Sequence, residues 1–511
     1  MLHLNHLLLP FLLLAQDPAP KPEKPDLVVL HFNDFHGQVL PRVVQQTARG
    51  DENGKQVRMG GFATLQRYVE QQRQELGEAR VWVTEAGDWY QGTPEGNEDK
   101  GASIIECFNR LRLTVSQIGN HEFDFGEDNV ARLVPLAKYP ILGANILDAK
   151  RPGQVRQYAK PFIVLEKAGV RVAIVGLVTK DTKGVSTGPF GDAEFQDEAR
   201  TLEGLLPSVR KEADAIVLLT HCGLETDKAL AKRFPELALI LGGHSHTELR
   251  RQEREGSTVI VQSGSKGSAV TRIEVDLAEQ APNFRVLGTR FVEMRTDEIG
   301  IDPAAEKFVA ERFGAISARW DEPIGSFAGD LGRGRDRGPF STAGGNLIAG
   351  IIREAGEAQV GLTNKGGIRT QVHLGPVTRR QIYELVPFEN TVVTFEMTGT
   401  LLRQVLTQSL ARGRRPLEIA GATYTYRVVS GERELVEVKV GDQLVDPAAT
   451  YRVAANSFLA GGGDGFQAFR DARRLPPTSR SDRFLRDILI DKMLREKTLQ
   501  LTGEDRIQVV D

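Results

Sequence analysis

The sequence predicts an α/β layered domain with two sheets, followed by a second α/β unit. Three observations predict it. From Leu27 to about Met294, short apolar runs alternate with helix-periodic ones, the pattern of a layered α/β domain. A charged amphipathic stretch from Asp302 to Trp320 then interrupts the alternation, which restarts from Ile324. Polar, Gly-rich segments follow the apolar runs again and again, as they do where parallel strands end along one edge of a sheet.

Each element has a local reason. Leu27 to Phe32 is a short apolar run, as expected of a buried strand, and Phe62 to Leu76 has helical periodicity. Val81 to Thr84 and Val115 to Ile118 read as strands, with a helix from Ile104 to Leu111 before the second. Phe162 to Glu166 and Val170 to Val178 flank Ala168-Gly169 and predict a hairpin. Ala215 to Thr220 and Leu237 to Leu241 are buried-strand patterns, each running into a histidine motif. Val259 to Gln262, Ala269 to Asp276 and Phe284 to Val292 form a terminal group of strands. Beyond the connecting helix come a helix (Gly345 to Glu354), a strand (Gln359 to Thr363), a helix (Arg379 to Val386), a strand (Val392 to Met397) and a helix (Leu401 to Ala411), then further strands. The resulting boundaries are residues 27–300 for the first domain, 301–322 for the connecting helix or hinge, and 323–511 for the second domain.

The 511 residues suggest about three domains by length alone, though two large ones fit as well, and 40% hydrophobic content suffices for packed cores. A formal net charge of -3 without a long basic run argues against a nucleic-acid polymer as partner. Residues 1–15 contain an apolar run, Leu7 to Ala15, too short to span a bilayer and suited to a secretory signal cleaved after Ala15. Residues 16–26 hold four prolines among alternating charges and read as a disordered leader. Cys107 and Cys222 are the only cysteines, and no lipid-anchor pattern or hydrophobic tail is present. The expected protein is exported, periplasmic or secreted, with no stable membrane anchor.

Five short motifs carry the chemistry. They are Asn33-Asp34-Phe35-His36-Gly37, Gly87-Asp88, Gly119-Asn120-His121-Glu122, Thr220-His221-Cys222-Gly223 and Gly242-Gly243-His244-Ser245-His246. Their carboxylate, amide and imidazole groups suit a hydrolytic divalent-metal site, with Zn, Mn, Co and Fe all fitting such ligands. Asp34 and His36, two apart, are expected on one side of an extended strand end. Asp88 follows a glycine that lets the chain turn, so its carboxylate can bridge two cations. Any one of these residues alone is better read as a cap or a satisfied core group; their joint recurrence at strand ends is the signal. Two cations about 3.5–4 Å apart would hold a shared hydroxide and clamp a phosphoryl oxygen. His121 is then placed to donate a hydrogen bond or proton to the leaving oxygen, with Asp124 orienting it and keeping it protonated.

These motifs resemble the metallophosphoesterase superfamily, and within it the two-domain 5'-nucleotidase branch that includes bacterial UDP-sugar hydrolases. The resemblance runs from Leu27 to Val510. It implies a four-layer α/β/β/α metallophosphoesterase domain followed by an α/β substrate-binding domain. It also implies two divalent metals, one held by Asp34, His36, Asp88 and His246 and the other by Asp88, Asn120, His221 and His244. Position 246 is often Gln in relatives, and His is an equally able ligand. His121 and Asp124 match the family's catalytic pair.

In the second half, Asn364-Lys365-Gly366-Gly367-Ile368-Arg369 resembles the element whose Asn and Arg meet the substrate's phosphate and sugar. Pro387-Phe388 and the run from Phe458 to Phe466 resemble the segments whose aromatics sandwich a nucleobase, so Phe388 and Phe458 are the expected stacking pair and Asp464 the acceptor for ribose hydroxyls. Relatives usually carry an Arg five residues before the Gly of Gly-Asn-Leu. Here that position is Phe340, with Arg333, Arg335 and Arg337 nearby as substitutes. The implied activity is hydrolysis of nucleoside 5'-monophosphates, with closure of the domains about the connector. The alternatives on the same scaffold are a 2',3'-cyclic-nucleotide phosphodiesterase with 3'-nucleotidase activity and a UDP-sugar diphosphatase. A non-catalytic nucleotide-binding protein is a third reading, disfavoured by the full ligand set.

Overall fold

The computed structural model describes residues 24–46, 55–278, 283–331 and 340–510. The expected signal segment, most of the leader, and Arg333, Arg335 and Arg337 lie outside the described residues.

Two six-stranded sheets build the first domain. In the first, Leu27–Phe32 lies between Ala269–Leu277, antiparallel, and Val81–Glu85, parallel; Val115–Gln117 and Ile141–Leu142 continue the parallel run. In the second, Val170–Val178, Ala215–His221, Leu239–Leu241 and Thr258–Val261 are parallel neighbours. Strand alternation sorts the side chains into layers. Leu27 and Val29 join Val172, Ile174 and Val217 between the sheets. Val28, Leu30 and Phe32 face outward onto the helices Phe62–Leu76 and Ala102–Leu111. Ala173, Val175 and Leu177 meet Glu198–Glu212 and Leu224–Arg233 on the other side. The layers are therefore helix, sheet, sheet, helix.

Local chemistry sets the boundaries. Asp197 and Asp302 cap their helices, accepting from the amides of Arg200 and Ala305, and Pro303 occupies the first turn of the second. Ala168 and Gly169 both take positive φ, as a two-residue hairpin turn demands, and the flanking strands pair antiparallel. The connecting helix Pro303–Trp320 buries Phe308, Val309 and Phe313 in the first domain's core. Its last residue, Trp320, packs edge-on against Tyr383 of the second domain.

The second domain centres on a five-stranded sheet in which Val360–Thr363, Thr450–Asn456 and Val392–Thr398 are adjacent, with three- and four-stranded sheets beside it. A strand at Pro323–Gly329, paired with Thr498–Leu501 and Gly375–Thr378, has no signature in the sequence, because the proline and glycines it contains are poor β-formers. The domains meet through a largely buried ion pair between Glu95 and Arg380 (2.6 Å) and a hydrogen bond from Asn97 Nδ2 to Tyr383 Oη (2.7 Å).

Candidate metal centre and active site

The motif residues collect at the C-terminal ends of the parallel strands. Asp34 and His36 follow Leu27–Phe32, Asp88 follows Val81–Glu85, Asn120 follows Val115–Gln117, His221 ends its strand, and His244 and His246 follow Leu239–Leu241. The expectation of an extended end for Asp34 and His36 needs correction. Both take positive φ, 52° and 51°, as do Asp88 (61°), His244 (76°) and His246 (55°). The chain curls at each position, and the curl aims the two side chains of the first motif at one point. Such conformations cost of order 1–3 kcal/mol each for non-glycine residues and persist only where the surroundings enforce them.

Close loop packing supplies that enforcement. A Cβ on Gly87 would lie 2.6 Å from the amide nitrogen of Gly119, and one on Gly119 would lie 2.4 Å from both the amide nitrogen and Oδ1 of Asp88. Only glycine fits either place.

Acceptor atoms converge at the centre. His36 Nδ1 lies 2.6 Å from Gln91 O and His221 Nδ1 2.6 Å from Ala86 O. Each carbonyl fixes Nδ1 as a donor and leaves Nε2 for a ligand. His36 Nε2 then lies 3.0 Å from His246 Nε2, and His246 Nε2 lies 3.1 Å from Asp34 Oδ1. His221 Nε2 sits 3.1 Å from both Asp88 Oδ2 and Asn120 Oδ1, and His244 Nδ1 sits 2.9 Å from the same Asn120 oxygen. Ligand atoms of Asp34, His36, Asp88 and His246 lie within 4.8 Å of one another, as do those of Asp88, His221 and His244. Asp34 Oδ1 is buried and makes no well-aligned hydrogen bond. So dense a set of lone pairs, with Asp88 common to both groups, fits divalent cations.

Two buried carboxylates dominate the electrostatics of the centre and draw positive charge onto His221. Burial raises the Asp88 carboxyl, but His221 and His121 outweigh it and hold it well below the usual carboxylate range. Burial lowers His221, yet Asp88 and Asp34 push it up to about 10. His244 is pulled down to about 3 by burial and by His221.

His121 stands at the rim. Its Nδ1 lies 2.7 Å from Asp124 Oδ2, and its Nε2 lies 4.0 Å from Asp88 Oδ2. The other oxygen of Asp124 accepts from the Thr187 amide, so the carboxylate serves His121 and a neighbouring loop. Burial opposes a charge on His121, but Asp124 and Asp88 prevail and raise its pKa.

The second domain reaches this centre. Arg369 Nη2 comes 3.3 Å from His36 Nε2, and the Phe388 ring lies 5.6 Å from that of His121. Asn364 Nδ2 donates to Asp464 Oδ2 at 2.8 Å. Asp464 has φ of 51°, and the Phe458 ring closes so tightly over Gly463 that a Cβ there would meet it at 2.6 Å. Asn364, Phe458 and Asp464 thus form one group, while Arg369 and Phe388 turn toward His36 and His121. Phe340 is 44% exposed, and its carbonyl accepts from Lys365 Nζ.

Three contributors escape sequence reasoning. Asn33 donates to Asp34 Oδ2 (2.6 Å) and to Gly264 O. Asn390 Oδ1 accepts from the amide of Phe458 and from Ser457 Oγ, fixing the Phe458 turn. Glu122 is wholly buried and accepts three backbone amides. Asn33 and Glu122 sit inside motifs, which is a signal; Asn390, two residues after Phe388, carries only that proximity. Cys222 is a buried free thiol directed at Leu177 O.

Comparison with known proteins follows the same division. The chain matches the calcineurin-like phosphoesterase model over residues 27–248 and the 5'-nucleotidase C-terminal domain model over residues 323–471. It is 28% identical over 537 residues to an apyrase from Tabanus yao, covering 95% of this chain and 94% of that one. It is 26% identical to protein UshA of Yersinia enterocolitica, covering 86% of each. The solved 5'-nucleotidase precursor from Thermus thermophilus shares 26% identity and a TM-score of 0.84, covering 95% of this chain and 99% of that one.

Proposed function

The chain belongs to the two-domain 5'-nucleotidase branch of the metallophosphoesterase superfamily, and on that premise we propose that it hydrolyses nucleoside 5'-monophosphates to nucleoside and phosphate using two divalent cations. The observation that carries this reading is the convergence of Asp34, His36, Asp88, Asn120, His221, His244 and His246 around one centre, with Asp88 facing both ligand groups. Cations bound there would lower the pKa of a water toward neutrality and offset charge on an in-line transition state.

The chain's own groups do the rest. His121, held charged by Asp124, donates a proton to the leaving ester oxygen. Arg369 presents its guanidinium fork to the phosphate, a geometry suited to two parallel hydrogen bonds. Phe458 and Phe388 offer their faces to the base, and Asp464 accepts from the ribose hydroxyls. Because Arg369 and Phe388 lie against His36 and His121, nucleotide enters only if the domains part, and the turn after Trp320 is the natural pivot.

Phe340 favours a second reading. With no guanidinium at that position, a cyclic phosphate or a sugar nucleotide becomes the competing substrate. Phosphate release from AMP, UDP-glucose and 2',3'-cyclic AMP, with and without chelator, separates these activities; release from none of them would remove the nucleotidase reading. The apolar run before Ala15 supports export. Among the described residues no helix is long and apolar enough to cross a membrane. An N-terminus found at residue 1 in the extracytoplasmic fraction would overturn cleavage.

A further inference from the structure

We propose that Glu122 is a positioning residue that locks together the two turns bearing Asp88 and Asn120, and so sets the protein's affinity for divalent cations. The inference rests on the metal-dependent reading above but assigns a new role. Glu122 is 0% exposed. Its Oε2 accepts from the amides of Asp88 (2.9 Å) and Gly119 (2.7 Å), and its Oε1 accepts from the amide of Trp89 (2.7 Å). Three donors from two turns meet on one side chain.

The tie is reciprocal. The carboxylate of Asp88 accepts from the amide of His121 (2.9 Å), while the carboxylate of Glu122 accepts from the amide of Asp88. Tyr90 Oη adds a bond to the Glu122 carbonyl (3.1 Å). Asp88 needs such support because its φ of 61° is disfavoured for a side-chain-bearing residue. Without Glu122, three buried amides would lose their acceptor, and the turn would relax toward ordinary φ. The Asp88 oxygens would then leave the line between the His36–His246 and His221–His244 groups.

A carboxylate is the required group. Its two oxygens offer about four lone-pair sites, enough for the three amides aimed at them. Glutamine keeps the shape but places an NH2 against one of the backbone N–H donors. Groups that orient metal ligands typically change metal affinity by about 10- to 100-fold when lost.

The test is Mn2+ binding by titration calorimetry on the metal-stripped full chain, comparing wild type, Glu122→Gln and Glu122→Asp. A weakening of about 10- to 100-fold in Glu122→Gln, with Glu122→Asp recovering part of it, is the expected result. Unchanged Kd in a folded Glu122→Gln overturns the proposal, because a purely structural glutamate would lower Tm and leave the Kd of folded protein alone. Wild type that binds no Mn2+, Zn2+, Co2+ or Fe2+ sinks the metal-dependent reading itself. If neither variant folds, hydrogen exchange on metal-stripped wild type decides. Slow exchange of the amides of Asp88, Trp89 and Gly119 supports the lock, and fast exchange of any of the three overturns it.

Discussion

Replacing Asp124 by asparagine removes one negative charge from a buried contact and turns an NH2 toward either His121 or the Thr187 amide. The His121 Nδ1 to Asp124 Oδ2 distance is 2.7 Å, and the two side chains are 9% and 6% exposed, so solvent screens the contact weakly. A hydrogen bond to a charged group contributes about 1.5–3 kcal/mol. If the acid function of His121 depends on that contact, kcat should fall by about 10- to 150-fold, from that energy divided by RT. The sign of the pH effect follows from the same contact. Asp124 and Asp88 raise the pKa of His121 against the pull of burial. The protonated acid is present below that pKa and lost as pH rises through it. Removing Asp124 lowers the pKa, so the alkaline limb of kcat should move to lower pH. The assay is phosphate release from AMP across pH, with para-nitrophenyl phosphate in parallel. Nitrophenolate leaves without help, so its loss should be much smaller. An alkaline limb that stays in place, or equal losses on both substrates, would refute the acid-and-orienter assignment.

Other perturbations probe different layers of the structure. His121→Asn should lower kcat on AMP by about 10²–10⁴-fold with KM little changed; a change confined to KM would contradict proton donation. Phe458→Ala should raise KM for AMP by about 5- to 150-fold, from a stacking contribution of about 1–3 kcal/mol, and spare an aryl phosphate; equal losses would mark the ring as structural. Cysteines replacing Asn97 and Tyr383, whose side-chain tips meet at 2.7 Å, should suppress turnover when bridged by a reducible bifunctional thiol reagent and restore it when the bridge is reduced. Turnover unaffected by the cross-link would show that the domains need not part. Phe108→Ala removes a ring packed edge-on against Phe32 and Phe35, so the first unfolding transition in urea should lose about 3–5 kcal/mol.

Much of the fold is written in local pattern. The helix predicted from Phe62 to Leu76 is Phe62–Leu76, because Gly60 and Gly61 precede it and Gly77, at φ of 90°, ends it. The hairpin at Ala168-Gly169 and the cap at Asp302 are equally local. The strand Pro323–Gly329 is not, since its pairing partners lie far away in sequence and supply what its composition lacks. The same distinction runs through the site. Side chains with evident chemistry, such as Asp34, His221 and His246, could be named from the sequence, and the structure gathers them. Their backbone conformations could not, because positive φ at Asp88 depends on Gly119 and Glu122, more than thirty residues away in sequence.

That dependence explains why the motifs are longer than their ligands. An aspartate at a strand end would by itself relax to ordinary φ and point away from the neighbouring imidazoles. Gly87 and Gly119 remove the Cβ atoms that would hold the turns apart, and Glu122 then collects the amides that the contact exposes. Asn33 holds the Asp34 carboxylate directly by a hydrogen bond to Oδ2, and Asn390 accepts the amide at the Phe458 turn. The neighbours of each functional residue therefore encode its backbone geometry. A sequence that kept every ligand but exchanged Gly119 or Glu122 would keep the chemistry of the donor atoms and lose their convergence.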